Sequence, residues 1–293
     1  MNRKKMKKLM GSCLLLLSLM LISTFSVSAA TKNPTKVNLR IGSSRQNVYK
    51  SYDVTGDSKV DQFNIALGLN GKIDKKDSNG YYNNIFISIN DKTYIMKSAT
   101  YFYGAKASLY TLANGKPYLY IDAITDNDYH AVCGLFNYDK SKKKMVTAVN
   151  FTTLFNGYAA RCSGDIVKIS GNTIKVRYGL MCYSLGGCTI TYNYTYKNGK
   201  LSRTSYYGTL VNISKGQHLT KLLTAKRTLT AYKAPGTTQK AFTIKKGGPV
   251  KIMQVWRKGN SMYIKLMYGG SYGWIKAATA NTSQQFSDVV YVG

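Results

Sequence analysis

The chain has 293 residues, with 42 Lys and Arg against 12 Asp and not one Glu, for a formal charge of +30. With two histidines, five cysteines and no Cys-x-x-Cys, a zinc site is not expected. A glycosidase pair of carboxyl groups would have to come from aspartates alone.

At the N-terminus, Arg3, Lys4, Lys5, Lys7 and Lys8 precede an apolar run from Leu14 to Phe25, and small residues follow up to Ala30. These are the three parts of a secretory signal peptide, with Ser28 and Ala30 at the small-residue positions, so residues 1–30 are expected to be removed. The apolar run is shorter than the roughly 20 residues a membrane span needs. Cys13 precedes the apolar run, so it is no lipid anchor, and no later segment is apolar enough to span a bilayer. Loss of five basic residues leaves a mature charge of +25. The expected location is outside the cytoplasmic membrane, secreted or on the wall of a Gram-positive bacterium.

Residues 31–213 read as one β-rich domain of antiparallel strands, propeller-like or sandwich, because Tyr, Thr, Val and Ile dominate and helix signals are scarce. Asn-Gly pairs begin at Asn70, Asn79, Asn114, Asn156 and Asn198, each suited to a type I′ hairpin turn. Runs such as residues 84–89 and 189–196 alternate between them. Tyr192, Tyr194 and Tyr196 share one strand face by period two, which favours cross-strand packing over sugar stacking. His130 falls in an alternating run and reads as a structural strand histidine.

The segment from Asp53 to Asp61 places Asp53, Asp57 and Asp61 at positions 1, 5 and 9 of a tight loop, with Thr55 at position 3 and Gly56 at the bend. Oxygen ligands at alternate positions are how short loops wrap calcium. The loop resembles those of FG-GAP repeats, which implies weak calcium binding by Asp53, Thr55, Asp57 and Asp61; Thr55 and Ser58 depart from the family pattern. Residues 121–128 resemble a degenerate second copy. The competing reading is an Asp-Gly turn whose carboxylates cap backbone N–H groups. No other cofactor is expected.

Four cysteines remain after residue 30, and an even number in an exported chain favours disulfides. Cys182 and Cys188 flank a short loop and are expected to pair, leaving Cys133 with Cys162, although three connectivities are open.

A second β-unit occupies residues 214–280, with residues 214–218 as the connector that leads into it. Its landmarks are Tyr232 with Pro235, Lys246-Gly247 before Val250, the strand Met262 to Leu266, and Gly273-Trp274-Ile275. In order and spacing these resemble a bacterial SH3 (SH3b) domain, which implies an SH3-like barrel that binds cell wall or peptide. The two tryptophans, Trp256 and Trp274, would plug or rim such a barrel, and Tyr232, Tyr272 and Trp274 would offer exposed ligand contacts. The tail, residues 281–293, is apolar enough to return and pair.

From Ile166 through Ser287 there are nineteen Lys and Arg and no acid. Such asymmetry points to a polyanion, here an anionic cell-wall polymer or peptidoglycan rather than nucleic acid. Two constellations bear on catalysis. Arg161-Cys162-Ser163-Gly164 with His218 is similar to the Cys-His pair of NlpC/P60 wall peptidases, but Asp165 and strand patterns follow Cys162, where that chemistry needs a helix N-terminus. Residues 184–188 echo the L,D-transpeptidase motif, but Leu185 stands where histidine is required. The expectation is a non-catalytic envelope binder. The alternatives are a Cys162–His218 hydrolase and a protein-interaction module.

Overall fold

The structure is a computed structural model that describes residues 33–41, 48–126, 129–213 and 220–291. The segment expected to be a signal peptide, the expected 214–218 connector with His218, and Asn127-Asp128 at the end of the second Asp-rich segment lie outside the described residues.

The fold is all-β. In chain order the strands are β1 (Thr35–Leu39), β2 (Tyr49–Tyr52), β3 (Asp61–Leu69), β4 (Lys72–Ile73), β5 (Tyr82–Ile89), β6 (Lys92–Phe102) and β7 (Gly104–Thr111). Next come β8 (Pro117–Ile124), β9 (His130–Asp139), β10 (Lys144–Asn150), β11 (Ala159–Ser170), β12 (Thr173–Cys182), β13 (Gly186–Lys197) and β14 (Lys200–Arg203). The last are β15 (Tyr207–Ile213), β16 (Leu222–Thr224), β17 (Leu229–Tyr232), β18 (Lys240–Ile244), β19 (Pro249–Lys258), β20 (Ser261–Tyr268) and β21 (Ser271–Lys276). A 3₁₀ turn covers Asn281–Ser283. Among the described residues no helix is long and apolar enough to cross a membrane.

All pairings are antiparallel and form three sheets. One runs β1-β7-β8-β9-β10, a second runs β2-β3-β5-β6 with β4 on β3, and the third holds eleven strands. That long sheet runs β11-β12-β13-β15-β19-β20-β21-β17-β18, with β14 on β13 and β16 on β19. It passes through the boundary expected between residues 213 and 214, because β15 pairs with β13 on one side and with β19 on the other. The described residues beyond 32 group as one compact unit.

β8 shows how the layers stack. Leu119, Ile121 and Ala123 on one face join an aliphatic core with Phe63, Ile65, Ile85 and Ile87 of the second sheet. Tyr118 and Tyr120 on the other face join Phe151, Phe155, Tyr178 and Tyr192 of the core shared with the long sheet. A strand buried on both faces loses the apolar-polar alternation, and the run Pro117–Ala123 is buried throughout. Of the two arrangements expected for the N-terminal region, stacked sheets are the observed one.

Two of the five Asn-Gly pairs take positive φ at both residues, Asn70-Gly71 (50° and 81°) and Asn198-Gly199 (52° and 79°). Both close tight hairpins, β3–β4 and β13–β14. At Asn79, Asn114 and Asn156 only the following glycine is positive, so these pairs sit in longer loops. The tail returns as expected. Phe286 bridges Ala225 and is fully buried, and Gly187 donates its N–H to the Val290 carbonyl.

Candidate functional site: an aromatic and cationic sheet face

In the C-terminal half of the long sheet, Val250, Ile252, Val255, Met262, Ile264, Leu266 and Ile275 point inward and are buried. Alternation then turns Gln254, Trp256 and Lys258 of β19, Tyr263, Lys265 and Met267 of β20, and Tyr272 and Lys276 of β21 to the opposite face. Strand register sets rings beside cations there. Trp256 lies opposite both Tyr207 and Tyr263, Lys265 opposite Trp274, Tyr263 opposite Lys276, and Tyr232 opposite Trp274.

Ring centroids are 6.1 Å apart for Tyr206–Trp256, 5.7 Å for Trp256–Tyr263 and 5.8 Å for Tyr207–Trp274. The Lys265 ammonium stands 5.3 Å from the Tyr272 ring and 5.9 Å from that of Trp274, and the Lys258 ammonium 4.9 Å from Tyr206. Each such cation–π contact contributes about 0.5–1 kcal/mol at an exposed site. It also holds the charged head close to an aromatic surface. The nearest acids in sequence are engaged elsewhere: Asp165 accepts from Arg177 at 2.6 Å, and Asp288 accepts the Thr224 N–H at 2.9 Å.

Of the three aromatics expected as exposed contacts, Tyr272 is 54 % exposed and Tyr232 is half-buried. Trp274 is only 6 % exposed, which corrects the expectation. Tyr207 packs against its ring and Lys265 lies over it, so Trp274 serves as the floor of the face rather than its surface. Sequence reasoning overlooked Tyr206, Tyr207 and Tyr263 as contributors. Tyr263 was readable from strand alternation, whereas Tyr206 and Tyr207 belong to the preceding segment and arrive only through the β15–β19 pairing.

The Asp loop spends its carboxylates on its own backbone. Asp53 accepts N–H groups from Gly56, Asp57 and Ser58 at 2.5–3.1 Å, and Asp61 accepts those of Val54 and Thr55 at 2.8 and 2.9 Å plus the Asn90 amide. The Lys59 N–H holds the Asp57 carboxyl below its ordinary pKa. The Lys140 ammonium bonds the Gly56 carbonyl at 2.6 Å. The Thr55 hydroxyl reaches Asp53 at 3.5 Å.

All four cysteines are free thiols in the structure, so neither expected bridge is formed. Cys133 and Cys162 each have their own carbonyl acceptor, Gly164 at 3.2 Å and Phe151 at 3.0 Å. Cys182 and Cys188 lie on adjacent strands but are offset, Cys182 facing Gly186 and Cys188 facing Leu180. Their thiols hydrogen-bond, and that bond together with burial pushes the Cys188 thiol well up.

Cys162 lies within β11, not at a helix start, and burial pushes its thiol up as well, which opposes a nucleophilic thiolate. Ser184 is fully buried, donates to the Gln285 side chain and accepts the Ala278 N–H, each at 2.7 Å, and so anchors the tail. Tyr192 and Tyr194 are buried packing residues, as alternation indicated.

No family model, curated protein or solved structure matches the chain.

Proposed function

We propose that the chain is an exported, envelope-associated binding protein of a Gram-positive cell. In this reading the ring-and-lysine face built on β15, β19, β20, β21 and β17 engages anionic wall polymer. The observation that carries the reading is the set of ring–lysine neighbours on this face, Lys258 over Tyr206, Lys265 over Tyr272 and Trp274, and Lys276 opposite Tyr263, in a segment without a carboxylate from Ile166 through Ser287. Phosphate-rich glycopolymers offer anionic groups to the lysines and sugar faces to the rings. Displacing condensed counter-ions would make the affinity fall steeply with salt. The SH3b resemblance supports the same reading, since β19, β20 and β21 form a meander that continues to β17, with β16 and β18 at its flanks. The mid-strand position of Cys162 favours no hydrolytic role.

The test is retention on purified walls with and without teichoic acid across a salt series. Retention is expected to fall log-linearly with salt, and K258E/K265E/K276E to flatten the slope by about one unit for each phosphate left unneutralised. W256A is expected to weaken binding at every salt concentration. Retention that ignores salt and the lysine variants would overturn the polyanion reading in favour of a protein partner.

A further inference from the structure

A second constellation lies between the first sheet and the long sheet, away from the aromatic face. Asp122 of β8 sits directly opposite Cys133 of β9, on the β8 face that also carries Tyr118 and Tyr120. In a regular strand His130, three residues before Cys133, would point to the other face. A register shift prevents this: Val132 pairs with Ala123, but His130 pairs with Ile124, leaving Ala131 as the extra residue. That one-residue bulge brings His130 onto the face of Asp122 and Cys133. Bulges commonly re-aim a side chain in this way beside functional sites.

We infer that Asp122, His130 and Cys133 form a binding site for one divalent transition ion of the zinc class, with its remaining coordination position open to the adjoining cavity. Among the described residues these are the one grouping of three Asp, His or Cys ligands, with one ligand atom from each within 4.8 Å of the others. Imidazole nitrogen, carboxylate oxygen and thiolate sulfur are the donor set zinc accepts.

His130 Nδ1 and the Asp122 carboxylate meet at 2.5 Å across a proton. Replacing that proton by an ion with bonds of about 2.0–2.1 Å in tetrahedral geometry requires about 3.3 Å between the two atoms. A small rotation of His130 supplies the difference, and the ring borders open space on two sides. The sulfur is already held in place. Gly164 donates its N–H to Cys133 at 3.3 Å and accepts from it at 3.2 Å, and Tyr120 fixes the same carbonyl at 2.9 Å. Gly164 is what permits the approach, because a Cβ there would meet the Phe151 ring at 2.6 Å.

Asp122 and Cys133 face each other across the β8–β9 pair, and a divalent cation between carboxylate and sulfur would offset both negative charges. The cavity beside His130 is about 600 Å³ and is lined by Thr152, Asn156, Arg161, Cys162 and Ser163. A smaller one of about 260 Å³ brings Lys106, Asp165 and Arg177 near Asp122. A ligand reaching the ion would therefore arrive through a polar opening with basic groups at its margin.

The experiment is a Co²⁺ titration of the purified, reduced chain, followed by its near-ultraviolet sulfur-to-cobalt absorption and visible ligand-field bands, with competition by Zn²⁺. One equivalent bound with a sulfur band is expected, with loss of the band in C133A, at least about tenfold weaker binding in H130A, and no change in C162A. X-ray absorption at the zinc edge of the wild-type complex should report one sulfur among nitrogen and oxygen ligands. This second readout keeps the test decisive if C133A fails to fold. Absence of stoichiometric binding at micromolar metal, a sulfur band that survives in C133A, a zinc shell without sulfur, or peptide mapping that finds Cys133 in a disulfide would each overturn the site.

Discussion

Two regions of this protein build antiparallel sheets from different turn chemistry, and their surfaces differ as a result. Residues 31–165 carry eleven of the twelve aspartates. Several of these close turns: Asp53 and Asp61 cap the 54–58 loop, Asp77 accepts from Asn79 and Tyr81, and Asp139 accepts from Ser141 and Lys142. Residues 166–287 close their hairpins without a carboxylate, at Gly171, Asn198-Gly199, Gly259 and Gly269-Gly270, all at positive φ, a device the first region uses beside its aspartates, as at Asn70-Gly71. Glycine tolerates that region without a side-chain acceptor. The hairpins of the second region therefore need no carboxylate, and every formally charged side chain from Ile166 through Ser287 is basic. The lack of acids is thus compatible with folding and available for binding.

The largest expected effect tests whether the two regions share one core. Phe151 is fully buried between them, with ring centroids 6.3 Å from Tyr120 and 5.6 Å from Tyr178. F151A is expected to cost about 3–5 kcal/mol in urea unfolding and to shift a single transition. Two separated transitions would show that the regions unfold independently.

The turn comparison is sharpened next by D61A. It strands the buried N–H of Val54 and the Asn90 amide, so a loss of about 1–3 kcal/mol is expected. By contrast, G270A at φ 80° meets no neighbouring atom and should cost only about 1 kcal/mol, through backbone strain alone. A G270A loss equal to that of D61A would contradict the division of labour between the two turn types.

The smallest effect concerns pH. The Ser141 hydroxyl, then the Lys142 N–H, lower the Asp139 carboxyl to about 2. Because the folded value lies below the unfolded one, its stabilisation is present above about pH 4 and is lost as pH falls toward 2. D139N should remove that part of the acid limb and leave neutral-pH folding intact, as read by the thermal midpoint across pH.

The alternating runs of β12 and β13 were legible as strands, and burial follows their alternation. The hairpins at Asn70 and Asn198 were legible too, since positive φ at two successive residues is a local requirement that Asn-Gly satisfies. Much of the candidate face was only half visible. Tyr272 and Lys265 could be placed outward by period two, but the burial of Trp274 depends on Tyr207, 67 positions earlier. The Asp122, His130 and Cys133 cluster was hidden altogether, because strict alternation puts His130 on the wrong face.

Composition and periodicity determined by themselves that this is a basic all-β chain, where many of its turns fall, and which half carries an uncompensated positive charge. Those properties depend on residues a few positions apart. Tertiary structure alone decided that the sheets stack on both sides of β8, that one sheet continues across the expected boundary, and that a bulge at Ala131 re-aims a histidine. Strand partners are chosen by burial across long sequence distances, and a one-residue slip exchanges the two faces of a strand. No local pattern records either choice.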